Sequence, residues 1–288
     1  MDMTLLKVIV LAIVQGLAEL LPVSSSAHVV VAEKLMGLDP ASPPMTLLLV
    51  MLHTGTMFAV IAYFWRDWRA IYFSSGAVFR AFLWIVIVAT ACTAVVGEGL
   101  MKLIEHTLLR DVPHGQIEDL FSHLELIAPA LGVAGILILA AGLTEQRRRA
   151  RPAAALGVRS AGIIGAVQGL CLPFRGFSRS GATISTGMLL GVEKSRAEAF
   201  SFALAVVLTP PVVAREALRL VKAVPAGGGA ALGPVVWLTV VGALVALGAG
   251  LLALRWLSRW LEGGRWYYFG IYCLAASAAV SVLHALGY

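Results

Sequence analysis

The sequence predicts an all-α integral membrane protein with about six transmembrane helices and two re-entrant helical hairpins in an inverted-topology repeat. Three observations carry this. The 288 residues are 59% hydrophobic and 13% charged, with a mean hydropathy of +0.88, whereas a soluble domain is nearer half apolar and a quarter charged. Six apolar runs, at 45–64, 81–100, 126–143, 200–221, 235–257 and 266–286, are long enough to cross a bilayer. Two further apolar regions are broken near the middle by a proline and a hydroxyl-rich turn, at 22–26 and 173–180.

The first broken region covers 4–36. Gln15 and Glu19 stand four residues apart, on one face of the first arm. The arm stops at Pro22, passes Ser24, Ser25 and Ser26, and resumes through His28 as apolar sequence. Each arm is too short to span and suits a hairpin. Irregular backbone at membrane depth is tolerated only where it is buried in protein or lines a wet cavity, so the turn marks a site. A cleaved signal peptide is disfavoured, because Gln15 and Glu19 interrupt the apolar run and Asp2 offsets Lys7.

Three spans follow, and then the basic segment 146–157, with Pro152 and a run of alanines, reads as a linker. The second broken region, 158–192, repeats the plan. Val14-Gln15-Gly16-Leu17 reappears as Val167-Gln168-Gly169-Leu170, and Pro173 stops the arm. Three more spans complete the chain. The organisation is therefore a first repeat at 1–145, the linker, and a second repeat at 158–288, within one membrane domain. An odd number of spans turns the second repeat upside down, so the two special turns meet near the midplane.

Loops holding Arg66, Arg69 and Arg80, then Arg147, Arg148, Arg149, Arg151 and Arg159, then Lys194 and Arg196, then Arg255, Arg259 and Arg265 carry 13 of the 22 basic residues. Lys and Arg concentrate in cytoplasmic loops, which places both termini outside and opens the first hairpin to the outer face. The opposite loops hold Lys7, Lys34, Lys102, Arg110, Arg219 and Lys222. This asymmetry accounts for the net charge of +6 without a nucleic-acid partner. Trp65, Arg66 and Trp68 read as an interfacial anchor. Cys92, Cys171 and Cys273 are isolated in apolar sequence and read as small buried hydrophobes.

The chemistry lies in the turns. A guanidinium in a membrane must face a cavity or a partner, and the planar fork of Arg179 suits phosphate oxygens. Arg175, Ser178, Ser180 and Thr183 surround it, and a helix beginning near Gly181 offers free amides and the positive end of its dipole. The competing reading is an Arg paired with Glu19 or Glu193 for folding alone. Glu19 supplies what the second turn lacks, since Leu172 stands at its counterpart. It can hold a divalent cation shared with phosphate, or act as a general base. Ser24, Ser25 and Ser26 offer a hydroxyl nucleophile, with His28 near in sequence to move protons; any of them can instead be a helix cap, as Ser24 looks to be. His53 and Glu98 also interrupt apolar runs. His53 is expected either to support the site from behind or to be a hydrogen-bonded structural histidine.

Gln15-Gly-Leu-Ala-Glu19-Leu-Leu-Pro22-Val-Ser24-Ser25-Ser26-Ala27-His28 resembles the (E/Q)xxxE-xxPVSSxxH element of bacterial undecaprenyl pyrophosphate phosphatases of the BacA or UppP type. Gly176-Phe-Ser178-Arg179-Ser180-Gly181-Ala-Thr183 resembles their second element, PGxSRSxxT. The resemblance implies hydrolysis of undecaprenyl pyrophosphate to the monophosphate in the bacterial inner membrane, recycling the lipid carrier of cell-wall synthesis, with dependence on Mg²⁺ or Ca²⁺. It implies Gln15 and Glu19 as the acidic/amide pair, Ser25 as nucleophile, His28 as the motif histidine and Arg179 as the phosphate-binding arginine. Three departures are visible. Gln15 replaces a common Glu, Ala27 a usual Gly, and Phe174-Arg175 intervene where Pro-Gly is usual, adding a second phosphate contact. The partners expected are a polyprenyl pyrophosphate and the bilayer, with a homodimer left open. The runner-up is a transporter or flippase for an anionic lipid or solute, because midplane broken helices belong to that class too. The Ser, His and Glu set favours the enzyme, since an anion carrier needs no nucleophile.

Overall fold

The computed structural model describes residues 3–40, 42–107, 120, 123–148, 153–223, 229–261 and 265–287. Of the residues used to orient the chain, Arg110, Arg149 and Arg151 lie outside these, as do Pro152 of the linker and the side chains of Arg219, Lys222 and Arg259. The described residues are helical in ten segments. α1 (Leu5–Glu19), α2 (Ser25–Leu35), α3 (Pro43–Tyr72), α4 (Gly76–Thr107) and α5 (Leu124–Arg148) come from the first half. α6 (Val158–Cys171), α7 (Arg179–Leu189), α8 (Lys194–Ala223), α9 (Gly229–Leu261) and α10 (Tyr267–Ala285) come from the second.

Six helices are long and apolar enough to cross a membrane: Pro44–Tyr72, Gly76–Thr107, Leu124–Arg147, Lys194–Arg215, Gly233–Arg255 and Tyr267–Ala285. Each coincides with a run expected from the sequence. The other four are short. α1 and α2 have 15 and 11 residues, α6 and α7 have 14 and 11. At 1.5 Å per residue none reaches the ~30 Å of a hydrocarbon core. The order short, short, long, long, long occurs twice.

The halves interlock. α1 packs on α9 while α6 packs on α4, α5 runs along α10, and α3 runs along both α8 and α9. The repeated Val-Gln-Gly-Leu explains the first two pairings. A Cβ at Gly16 would lie 2.5 Å from the Ala249 Cβ and 2.9 Å from the Ala246 carbonyl on α9. A Cβ at Gly169 would lie 2.8 Å from the Thr93 carbonyl and 2.9 Å from the Gly97 nitrogen on α4. Each glycine lets two backbones approach, as small residues do between membrane helices. Gly16→Ala is therefore expected to cost about 1–3 kcal/mol by overpacking. Gly99→Ala, where nothing lies within 4 Å, is expected to be neutral or slightly stabilising. Thermal melts of the two variants in detergent check this.

One expected surface feature is corrected. Trp65 is half exposed, but Trp68 is 7% exposed and donates Nε1–H to the Ala199 carbonyl at 3.1 Å. Its burial and this hydrogen bond tie α3 to α8, so Trp68 does not anchor at an interface.

Candidate active site

Each short pair is joined by a turn that ends in a serine with left-handed backbone. Ser24 has φ 65° and Ser178 φ 49°; among the described residues these are the two non-glycine residues with positive φ. Such a conformation costs an ordinary residue roughly 1–3 kcal/mol and persists where the surroundings enforce it. Both serines repay part of it as caps. Ser24 Oγ accepts from the Ala27 amide at 3.4 Å, and Ser178 Oγ from the Gly181 amide at 3.2 Å. The sharp entry makes the next residue, Ser25 or Arg179, the first of its helix. These two residues occupy equivalent places in the repeat.

Both aim at one carboxylate. Ser25 Oγ donates to Glu19 Oε2, and Arg179 Nη2 donates to Glu19 Oε1 at 2.8 Å. The turns touch as well: a Cβ on Gly181 would lie 3.2 Å from the Pro22 carbonyl. Two helix N-termini, each with free amides and a positive dipole end, thus converge around Glu19. Gln15 Nε2 donates to Glu19 Oε2 at 2.9 Å from one turn below. His53 Nε2, on α3, stands 3.2 Å from the same oxygen. Only 11% of the Glu19 side chain is exposed, and a carboxylate at that depth is tolerable when it is met by charge and donors in this way.

The mirror position shows what the first half added. Leu172 replaces Glu19, and Gln168 Nε2 donates instead to Thr93 Oγ1 on α4 at 3.1 Å. The second turn is one residue longer: Ser24 follows Glu19 by five positions, Ser178 follows Leu172 by six.

Other residues expected in the site are placed differently. His28 Nδ1 lies 2.8 Å from the Ser24 carbonyl and Nε2 2.7 Å from the Tyr272 hydroxyl, with the rings stacked. Ser26 Oγ lies 3.4 Å from Ser24 Oγ. Thr183 donates to the Arg179 carbonyl at 2.8 Å and meets Ser201 Oγ at 2.6 Å, fastening α7 to α8. Ser180 is buried in the same first turn. The charge of Arg175 acts on buried Glu33 of α2. Glu98 is exposed on α4. His53 is the residue whose place the sequence left open, and its only signal was a polar side chain in an apolar run.

A small, partly open cleft lies beside this cluster. Glu19, Arg179, His53 and Thr56 form its polar end, and Met57, Val60, Phe202 and Val206 line it between α3 and α8. Arg179 Nη1 has no hydrogen-bond partner among the described residues. That nitrogen is buried, while the Arg179 side chain lines the cleft, so a small reorientation of the guanidinium would give it an anionic oxygen as acceptor.

The donor set also bears on a cation. Among the described residues no group of three or more His, Cys, Asp or Glu gathers, so a protein cage is not formed. Glu19 Oε1 takes one donor, Arg179, and retains acceptor capacity at the cleft. One carboxylate oxygen fits Mg²⁺ or Ca²⁺ held jointly with substrate phosphates and water, the usual manner for Mg²⁺.

The chain is similar to known proteins over nearly its whole length. The family model described as bacitracin resistance protein BacA matches residues 8–279. The chain is 56% identical over 284 residues to undecaprenyl-diphosphatase 2 of Acinetobacter baylyi, covering 98% of each. It is 34% identical over 292 residues to the undecaprenyl-diphosphatase of Anaeromyxobacter sp. (strain K), covering 98% of this chain and 92% of that one. It is 33% identical over 285 residues to undecaprenyl-diphosphatase 2 of Burkholderia thailandensis, covering 95% of each.

Proposed function

The chain belongs to the bacitracin resistance protein BacA family, and from that premise we infer that it is a membrane undecaprenyl-diphosphatase, releasing phosphate from undecaprenyl diphosphate to regenerate the monophosphate carrier. The observation that carries the site assignment is the unpaired Arg179 Nη1 beside the Ser25–Glu19 hydrogen bond. An anion-seeking donor and an activated hydroxyl stand on opposite sides of one carboxylate.

The diphosphate enters the polar end of the cleft. Arg179 and the amide ends of α2 and α7 hold its oxygens, while the prenyl chain follows the apolar wall between α3 and α8. Ser25 Oγ attacks the terminal phosphorus and the phosphoanhydride bond breaks, with undecaprenyl phosphate leaving. Glu19 receives the proton Ser25 gives up and passes it to the departing undecaprenyl phosphate. Water then attacks the phosphoserine as Glu19 takes the water proton, Glu19 returns that proton to Ser25 Oγ as the Oγ–P bond breaks, and inorganic phosphate departs. Phosphoryl transfer depends mostly on positioning and charge stabilisation, which this set supplies. A divalent cation, held by Glu19 together with the substrate phosphates, would neutralise charge on their oxygens. His28, bound to Tyr272, braces α2 against α10.

The basic loops orient the chain with both termini outside and the cleft open to the outer face, and the two short pairs enter the membrane as re-entrant hairpins of an inverted repeat. Purified protein in detergent, with no gradient, is expected to release inorganic phosphate from undecaprenyl diphosphate, to lose this with EDTA and to regain it with Mg²⁺. Absence of phosphate release in the presence of Mg²⁺ would overturn the assignment. Activity untouched by EDTA would remove the cation alone.

A further inference from the structure

His53 is the member of the Glu19 cluster to which no role has yet been given. It stands in the middle of α3, 34 residues beyond Glu19 in sequence. Its ring is fixed at both nitrogens: Nδ1 lies 2.8 Å from the Leu49 carbonyl one turn back, and Nε2 lies 3.2 Å from Glu19 Oε2. The side chain is 30% exposed and forms part of the cleft.

The helices hold this approach rigidly. A Cβ on Gly55, two residues after His53, would collide with the Ala243 carbonyl of α9. Gly16, on α1, meets Ala246 and Ala249 of the same helix. α1 and α3 are therefore docked on one row of small residues of α9, at successive helical turns. The spacing between Glu19 and His53 is set by backbone contact and not by side-chain accommodation. Such contacts are stiff, because no rotamer change can relieve them.

Glu19 needs this support. It is the last residue of α1, where the chain is leaving the helix. The terminal torsion of a glutamate is broad and two-fold, so its carboxylate plane is not fixed by the backbone. Arg179 holds Oε1. Gln15 approaches Oε2 from α1 and Ser25 from α2. His53 approaches the same oxygen from a third helix, α3, and lines the cleft with Glu19.

We propose that His53 is a positioning residue of the phosphatase site: from its anchored place on α3 it fixes the plane of the Glu19 carboxylate, so that Oε2 stays aligned with the Ser25 hydroxyl and Oε1 with Arg179. The proposal rests on the reading of the cluster as a phosphatase site. It assigns His53 no contact with substrate and no transfer of a proton.

The test compares His53→Ala with His53→Gln in purified protein, by steady-state kinetics on undecaprenyl diphosphate and by thermal melts. A glutamine places an amide N–H at nearly the reach of Nε2 and does not titrate. His53→Ala is expected to lower kcat by about 10²-fold, the order of loss that a misplacement near 1 Å produces. KM should change less than about threefold, because the phosphate-binding groups are intact. His53→Gln is expected to recover at least a tenfold share of the lost kcat. The melting temperatures should lie close to that of the unsubstituted protein. Unchanged kcat in His53→Ala overturns the proposal. So does a kcat in His53→Gln as low as in His53→Ala, which would show that the imidazole itself is required. A loss that only tracks the folded fraction overturns it too, by making His53 a packing residue. Failure of the unsubstituted protein to hydrolyse the diphosphate would instead strike the functional reading.

Discussion

Arg179→Ala is expected to lower the rate of undecaprenyl diphosphate hydrolysis by about 10³-fold, or roughly 4 kcal/mol of transition-state stabilisation at 1.36 kcal/mol per decade. The transferring phosphoryl group spreads negative charge over its equatorial oxygens as it passes between donors, and an arginine aimed at those oxygens acts most strongly at that moment. Arg179 is placed for this by the left-handed turn at Ser178, by its position as first residue of α7, and by the Glu19 contact, which engages Nη2 and leaves Nη1 without a hydrogen-bond partner. The same contact creates a second cost. Removing the guanidinium leaves the Glu19 carboxylate buried without its closest cation, and breaking one side of a buried pair destabilises a protein by about 3–5 kcal/mol. Arg179→Lys separates the two effects. It keeps a positive charge near Glu19 and so should fold, but a compact ammonium cannot hold Glu19 and a phosphate oxygen with two nitrogens of one plane. A loss of at least about 10²-fold in Arg179→Lys, with a melting temperature near that of the unsubstituted protein, is the expected result. Near-normal hydrolysis in Arg179→Lys would show that charge alone suffices, and near-normal hydrolysis in Arg179→Ala would take Arg179 out of the site.

Much of this arrangement was legible before any coordinate. The six long helices follow from apolar length, which the bilayer imposes directly. The turns at Pro22 and Pro173 announce themselves because polar backbone has no reason to interrupt an apolar run except to build something. The convergence of Glu19 and Arg179 follows from the expense of either charge alone in a membrane. What escaped the sequence is of a different kind. The partner of His28 is Tyr272, 244 residues away, and nothing local specifies it. The charge of Arg175 acts on buried Glu33 of α2, 142 residues earlier, and nothing beside either residue announces the pairing. His53 depends on how closely α3 and α1 settle on α9, and that distance is written in Gly16, Gly55 and the alanines of α9 rather than near the histidine. Local periodicity gives elements and their breaks; which side chains meet is decided by backbone approach between distant helices.

The second large effect concerns the hydroxyl–carboxylate pair. Glu19→Gln is expected to reduce turnover by about 10³-fold or more, and Ser25→Ala by a comparable factor, because general-base assistance alone is worth on the order of 10²–10⁴-fold and a nucleophile is weak without its base. An amide in place of Glu19 keeps the shape of the side chain but has one acceptor oxygen where four donors now meet, from Gln15, Ser25, His53 and Arg179. At least one of them must lose its partner. Headgroup binding should change little, since Arg179 and the two helix N-termini remain and the lost negative charge offsets the weakened hold on the cation. The expected signature is thus a collapsed kcat with a KM that is nearly unchanged, the pattern of an interaction made in the transition state and not in the ground state. The double variant gives the sharper test. If Glu19 acts by taking the Ser25 proton, the two residues form one unit, and losing both should cost little more than losing the worse one alone. Multiplicative losses in Glu19→Gln/Ser25→Ala would mean that the two act on separate steps, with water rather than Ser25 attacking the phosphorus and the Ser25–Glu19 hydrogen bond serving only to hold the turn.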